Sequence, residues 1–153
     1  MRLQKATRCA LFAVLELAQD SERQVSAADI AEKYGISANH LAKVLRDLAR
    51  AGLVESMRGA GGGYRFSGNA KRVTLYEIVE MFEDIAQGTR PEAGDESPIG
   101  QALVRVTTEI DEIAVSTLKS ITLATLLKLM HRMAADGSLI LGAPEGAHQP
   151  NDQ

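Results

Sequence analysis

Cysteine and aromatic residues are scarce in this chain of 153 residues, which has one Cys, three Tyr, three Phe and no Trp. A single cysteine cannot form an intrachain disulfide, which excludes a disulfide-rich secreted scaffold and a metal site built from several thiolates. Because 45% of the residues are apolar and only 4% are aromatic, the core must be chiefly aliphatic. A small aliphatic core favours association between copies.

Long apolar runs are also missing. No apolar segment approaches the roughly 20 residues that span a bilayer, and the first residues lack the basic stretch followed by an apolar run that marks a secretory signal. We therefore expect a cytoplasmic protein with no membrane partner.

Charge is divided unevenly along the chain, although the net charge is only −3. Residues 1–72 carry 12 Lys and Arg against 7 Asp and Glu, whereas residues 73–153 carry 5 against 13. A basic half is typical of a polyanion-binding domain, and an acidic half of a solvating body. Ordinary scatter of surface charge is the alternative, and a split of this size disfavours it.

Apolar residues recur at helical spacing along most of the chain. Helices are predicted over 3–19, from Ser26 to about 34, from Ser37 to Gly52, over 74–86, over 98–120 and from Thr122, with strands at 53–57 and 63–66. This order predicts a mostly α-helical winged helix-turn-helix with a small two-stranded β wing and a long C-terminal dimerisation helix. The predicted divisions are a winged domain (1–86), a loop (87–98), the dimerisation and last helices (98–134) and a flexible tail (135–153).

The third predicted helix is the candidate DNA-reading element. Its polar positions are Asn39, His40, Lys43, Arg46, Asp47 and Arg50. The first two turns of a recognition helix meet the base edges, where Asn can pair with adenine and Lys can donate to guanine. A merely solvated helix face is the alternative, which the basic hairpin that follows disfavours.

The hairpin tip, Arg58-Gly59-Ala60-Gly61-Gly62, joins the two predicted strands. Arg58 can reach a phosphate or a narrow minor groove, and the glycines leave amide groups open to phosphate oxygens. A nucleotide-binding loop is disfavoured, because no Gly-Lys-Ser/Thr is present and no helix directly follows the glycines. A plain flexible turn remains the alternative.

The long predicted helix carries a heptad-like apolar stripe. Its members, spaced by four, three, four and three residues, are Ile99, Leu103, Val106, Ile110 and Ile113. Such a stripe suits a partner helix, so we expect a homodimer.

The chain resembles the Rrf-two family of bacterial regulators over roughly residues 1–130. The resemblance rests on Met1-Arg2-Leu3, Tyr34-Gly35-Ile36-Ser37, Asn39-His40-Leu41-Ala42-Lys43, Ala51-Gly52-Leu53-Val54 and 58–64, and it continues at 73–79 and 121–126. It implies a DNA-binding transcriptional regulator, expected to be a repressor, whose dimer reads a palindromic site on double-stranded DNA. It also implies DNA contacts by the third helix and the hairpin tip, to which we add Arg46 from the polar face of that helix. The predicted DNA-binding residues are Ser37, Asn39, His40, Lys43, Arg46, Arg58, Gly59, Gly61 and Gly62.

Many members of this family bind an iron–sulfur cluster through three cysteines in the loop before the dimer helix. Here that loop, 87–98, contains no cysteine, and thiolates are the usual cluster ligands. We therefore predict no cofactor. The chain resembles the cysteine-poor members, which respond by other means, including a protein partner. A protein-interaction module with weak DNA binding is the alternative function.

Cys9 lies between Ala6 and Ala13 on the first predicted helix, which favours a buried packing role over the alternative of a redox-sensing thiol. No metal site is predicted, because His131 and His148 are far apart. The carboxylates of the helix at 74–86, Glu77, Glu80, Glu83 and Asp84, indicate a solvated face. Without a nucleophile or pocket beside them they predict no catalytic residues and no enzyme.

Overall fold

The computed structural model describes residues 2–85 and 91–137. Its elements are α1 (Lys5–Ala18), α2 (Ala27–Tyr34), α3 (Ala38–Arg50), β1 (Val54–Met57), β2 (Gly63–Phe66), α4 (Leu75–Val79), α5 (Pro98–Ser120) and α6 (Leu123–Ala135). This confirms the predicted helical fold with a two-stranded wing and a long C-terminal helix. The predicted domain end at 86, loop residues 87–90 and tail residues 138–153 lie outside the described residues. In the described ranges, no helix combines the length and apolarity that crossing a bilayer requires.

The core is built around α1, which packs against α2, α3, β2, α4 and α6. Helix α1 buries small and aliphatic side chains, and α3 presents a purely aliphatic face to it. The buried apolar residues of these two faces are Cys9, Ala10, Ala13, Val14, Leu17, Leu41, Val44, Leu45 and Leu48. Small residues on α1 let the recognition helix approach closely, so the core directly sets the position of α3.

Helix α4 is shorter than the predicted helix over 74–86. It begins with the expected capping box, in which Thr74 Oγ1 accepts from Glu77 N–H at 3.3 Å and Glu77 Oε2 accepts from Thr74 N–H at 2.6 Å. It ends at Val79, where the Phe82 N–H bonds the Val79 carbonyl at 3.1 Å and tightens the chain into a turn. The helical prediction is therefore wrong for residues 80–85.

Glu83 explains why the chain turns there. Its Oε1 accepts from Gln4 N–H at 2.7 Å and from Thr7 Oγ1–H at 2.6 Å, at the start of α1. Helix α1 has no side-chain cap of its own, so this carboxylate satisfies an amide at the helix end from a distant part of the chain. The prediction that Glu83 belongs to a solvated helix face is wrong.

Backbone hydrogen bonds near the junction of α5 and α6 tie the C-terminal helices to the winged domain. Leu75 N–H bonds the Ile121 carbonyl at 2.7 Å, and Leu123 N–H bonds the Val73 carbonyl at 3.0 Å. Leu123 is fully buried, whereas α5 buries only Gly100 and Leu118. Helix α6 is thus docked at its start, and most of α5 stands away from the core.

A buried ionic network links α1 to α2. Glu16 is only 6% exposed, and its Oε2 accepts from Tyr34 O–H at 2.6 Å and from Lys33 Nζ at 2.8 Å. Burial by itself raises the pKa of Glu16, but the hydrogen bonds from Lys33 and Tyr34 and the nearby positive charges outweigh it and lower that pKa. Burial and the bond to Glu16 raise the pKa of Tyr34.

Replacing Glu16 by glutamine is expected to lower the free energy of unfolding at pH 7 by about 1–3 kcal/mol, because charge-assisted hydrogen bonds are lost from a buried site. Since folding lowers the pKa of Glu16 below 4.5, its stabilisation is complete above that pH and is lost as the pH falls through the folded value. Thermal unfolding at neutral and acidic pH measures this effect. The difference in stability between the wild type and Glu16→Gln should become smaller at acidic pH. The exposed Glu22→Gln is the matched control, and equal stability of the two variants at pH 7 would contradict the interpretation.

Candidate nucleic-acid interface

The α2–α3 pair forms a helix-turn-helix through one glycine and one serine. Gly35 has φ +62° and closes α2, and the next amide, Ile36 N–H, bonds the Ala31 carbonyl at 2.9 Å. A residue with a Cβ would be strained by about 1–2 kcal/mol in that conformation. Ser37 then caps α3, with its Oγ accepting from His40 N–H at 3.3 Å. The turn therefore sets the angle at which α3 leaves α2.

Helix α3 separates an apolar face from a polar one. The buried face faces α1, while the side chains of Asn39, Lys43 and Arg46 are exposed. Residues three and four apart share one side of a helix, so these three predicted contacts lie together on the outer face. Ser37 is exposed at the start of the same helix.

His40, which is also predicted to contact DNA, is less exposed than the other predicted contacts on α3. It is half-buried, and its Nε2 is enclosed without a hydrogen-bond partner among the described residues. With Cys9, Phe12 and Ile36 it lines a cavity of about 180 Å³. The reason is helical phase, since position 40 lies about 100° round the axis from Asn39, on the side facing α1.

The wing is an antiparallel hairpin in which Val54 pairs with Phe66 and Met57 with Gly63. At its tip Arg58 is exposed, and Gly59 and Gly61 have φ of +116° and +77°. A Cβ on Gly62 would come within 2.7 Å of the Met57 carbonyl oxygen. The tip thus requires glycine for its backbone path. The predicted contact through the Gly62 amide is wrong, because its N–H is donated to the Gly59 carbonyl at 2.9 Å.

Two features that anchor the wing were not predicted. Val25, before α2, exchanges backbone hydrogen bonds of 2.9 and 2.8 Å with Tyr64. This approach needs Gly63, where a Cβ would lie 2.6 Å from the Val25 carbonyl oxygen. The only signal in the sequence was a glycine at the start of a strand, which can mark close backbone approach.

The basic side chains of the candidate interface form no ion pair with a carboxylate of the described residues. Ion pairs within 4.0 Å engage Arg23 and Lys33 with Glu16, Arg50 with Asp47, and Arg65 with Glu55 across the wing. In residues 2–85 and 91–137, no carboxylate lies within 4.0 Å of Lys43, Arg46 or Arg58. The positive charge of the first half of the chain is therefore available on the outer face of α3 and on the wing tip.

The predicted dimerisation residues form an exposed apolar stripe along α5. Their exposed fractions are 75% for Ile99, 62% for Leu103, 55% for Val106, 59% for Ile110 and 61% for Ile113. Leu129 and Met133 of α6 add exposed apolar side chains, at 50% and 40%. Contiguous apolar surface of this kind is unusual on a monomer and marks an interaction site.

Cys9 is 3% exposed, and burial raises the pKa of its thiol. A buried, protonated thiol is a poor nucleophile, which favours the packing role over redox sensing. An iron–sulfur cluster does not fit the donors present: the chain has no second thiolate, and the described residues contain no group of three His, Cys, Asp or Glu side chains able to hold a metal.

The profile of the Rrf2 family, described as iron-dependent transcriptional regulators, matches residues 3–129. BadM of Rhodopseudomonas palustris, described as a candidate HTH-type transcriptional regulator, is 58% identical over 130 residues, which are 85% of this chain and 83% of BadM. The HTH-type transcriptional regulator IscR of Xenorhabdus nematophila is 35% identical over 134 residues, 84% of this chain and 80% of IscR.

The solved structure of CymR, the global cysteine regulator of Bacillus subtilis, superposes with a TM-score of 0.71 at 28% identity and covers 84% of this chain and 98% of CymR. The matches agree on a winged helix DNA-binding regulator and not an enzyme, as the residue pattern predicted. The chain belongs to the Rrf2 family of transcriptional regulators.

Proposed function

We propose that the protein is a homodimeric repressor that binds a palindromic operator without an iron–sulfur cluster. The observation that carries this proposal is the combination of a cationic face on α3, which no carboxylate of the described residues pairs with, and an exposed apolar stripe on α5. The first supplies contacts to DNA, and the second supplies a symmetric surface for a second copy. A repressor of this kind acts by occupying its operator in a promoter, and a cytoplasmic location goes with that role.

Each protomer is proposed to read one half-site. Asn39, Lys43 and Arg46 enter the major groove from the exposed face of α3. Ser37, at the start of α3, contacts the DNA backbone. His40 supports the first turn of α3 from the protein side, because its ring is packed towards α1. At the wing, Arg58 and the tip amides of Gly59 and Gly61 contact phosphates or the neighbouring minor groove. Gly62 supports the tip from within, through its N–H bond to the Gly59 carbonyl.

The dimer is proposed to form through α5. Burial of a large aliphatic side chain stabilises association by about 1.5–3 kcal/mol when it is complete, and the stripe offers several such side chains on one face. Because the same stripe meets itself in a two-fold arrangement, the two winged domains are related by the same axis. A two-fold dimer requires an inverted repeat in the DNA that it reads.

Signal reception is proposed to proceed without a cluster, because the single cysteine of this chain is buried on α1 and the loop before α5 contains no thiolate. A regulatory protein partner is one route that remains open to such a chain. The acidic second half, with 13 Asp and Glu against 5 Lys and Arg, offers a surface for a basic partner.

Selection from a pool of random duplexes, using protein purified without oxygen, tests the proposal. We expect enrichment of an inverted repeat, and binding that weakens with salt by about 0.9 logarithmic units per tenfold increase for each phosphate contacted. No enrichment, together with salt-insensitive binding, would contradict the DNA-binding proposal. The same preparation should be colourless, and visible absorbance from a cluster would overturn the cluster-free part alone.

A further inference from the structure

We propose that Arg2, Lys5 and Arg8, at the start of α1, form a second phosphate-binding surface that extends the DNA interface beyond α3 and the wing. These three residues are called the α1 cation cluster. The inference rests on the proposed DNA-binding function and adds a contact that neither the sequence pattern nor the helix-turn-helix geometry assigns.

The α1 cation cluster lines a groove. Arg2, Leu3, Gln4, Lys5 and Arg8 surround a cavity of about 450 Å³ open to solvent. All three cations are exposed, and in the described part of the chain none has a carboxylate within 4.0 Å. Three unneutralised cations around a concave surface favour a polyanion as the occupant, and they can hydrogen-bond its phosphate oxygens without reading sequence.

The cluster is continuous with the recognition helix. Lys5 and Arg8 also line the 180 Å³ cavity that reaches Gly35, Ile36 and His40, which are the turn and the first turn of α3. A phosphate bound by Lys5 and Arg8 would therefore lie beside the end of α3 that enters the major groove. Nucleic acid that already contacts α3 is the polyanion best placed to fill the groove.

Arg8 is held in position by aromatic packing. Its guanidinium lies 5.6 Å from the centroid of the Phe12 ring, which stacks on Tyr34 with centroids 4.8 Å apart and planes 9° from parallel. Tyr34 is the last residue of α2, next to Gly35. A cation–π contact does not use the guanidinium N–H groups as hydrogen-bond donors, so they stay available to phosphate.

The start of α1 is also anchored. Glu83 accepts hydrogen bonds from Gln4 and Thr7, so the backbone between Lys5 and Arg8 is tied to the body of the domain. Residues three apart on a helix are neighbours, which keeps the two cations on one side. An anchored backbone lowers the entropy lost when these cations bind phosphate, compared with cations on a loose chain end.

The double variant Lys5→Gln/Arg8→Gln tests the proposal in the full-length protein. We expect its affinity for the selected operator and for an unrelated duplex to fall by similar factors, about 10- to 100-fold, and the slope of log affinity against log salt to become less negative by up to about 4 per dimer. The matched control is Lys71→Gln/Arg72→Gln, which removes the same charge near Ala18 and Ser21 at the other end of α1, about 20 Å away. The control should leave the salt slope nearly unchanged.

Several results would overturn the inference. Equal effects of the two double variants would mean that only overall charge matters. A weakened dimer with an unchanged salt slope would assign the cluster to a contact with the acidic half of the partner protomer. If the double variant does not fold, the single variant Lys5→Gln is measured in the same way. The expected change in the slope of log affinity against log salt is then half as large. If the wild-type protein binds no DNA, the proposed function fails, whereas wild-type binding with an unaltered variant defeats only this inference.

Discussion

Replacing Val106 and Ile110 by aspartate is expected to convert the homodimer into monomers and to lower operator affinity by at least about a hundredfold. Both side chains are more than half exposed in the single chain, so the substitutions should leave the winged domain folded. In a dimer they would bury carboxylates without partners, at a cost of several kcal/mol. A monomer then binds one half-site and loses the gain from linking two binding events.

Sedimentation velocity gives the mass, and fluorescence anisotropy with the selected duplex gives the affinity. Thr108→Asp is the control, since this exposed side chain lies on the side of α5 roughly opposite the stripe, and it should behave as wild type. A Val106→Asp/Ile110→Asp protein that remains dimeric and binds normally would show that the stripe is not the dimer surface.

Removing the amine of Lys43 is expected to reduce sequence discrimination more than general affinity for DNA. A base contact is worth about 1–3 kcal/mol at each half-site, so Lys43→Ala should lower operator affinity by about 30-fold or more for the dimer. Binding to unrelated duplex should change far less. Arg58→Ala should instead weaken both by a similar factor and reduce the salt slope by about 1 per protomer, as expected for a phosphate contact.

Competition titrations with operator and unrelated duplex separate these outcomes. Arg50→Ala serves as the control on α3, because Arg50 pairs with Asp47 at the far end of the helix. Identical ratios of operator to unrelated affinity for Lys43→Ala and wild type would remove Lys43 from base recognition. Sedimentation should show both variants to be dimers.

Much of the fold follows from local signals that the sequence carries openly. Helix α5 begins at Pro98 after the Ser97 cap, and α6 begins after the Thr122 cap, both as the residue pattern predicts. The Ser97 and Thr122 hydroxyls accept from free amides of the first turn, and Pro98 has no N–H that would need a partner, so neither helix start depends on distant residues. The pairing of the two wing strands with each other is equally local, since a short glycine-rich tip joins them.

The features that the sequence did not reveal depend on contacts between distant segments. Glu83 bonds to Gln4 and Thr7 across more than 70 positions, so a carboxylate that reads as solvated on its own helix is an anchor for α1. Gly63 matters only because Val25 lies against it. His40 occupies a polar position of α3, but whether its ring faces DNA or α1 depends on how the two helices pack.

The mass of the wild-type protein bound to the selected duplex tests the central claim most directly. We predict two protomers on one duplex, with a footprint that is symmetric about its centre. The reason is that the α5 stripes pair two protomers and each α3 binds the major groove of one half-site. One protomer per duplex at full affinity, or a dimer that protects only a single unrepeated half-site, would contradict it.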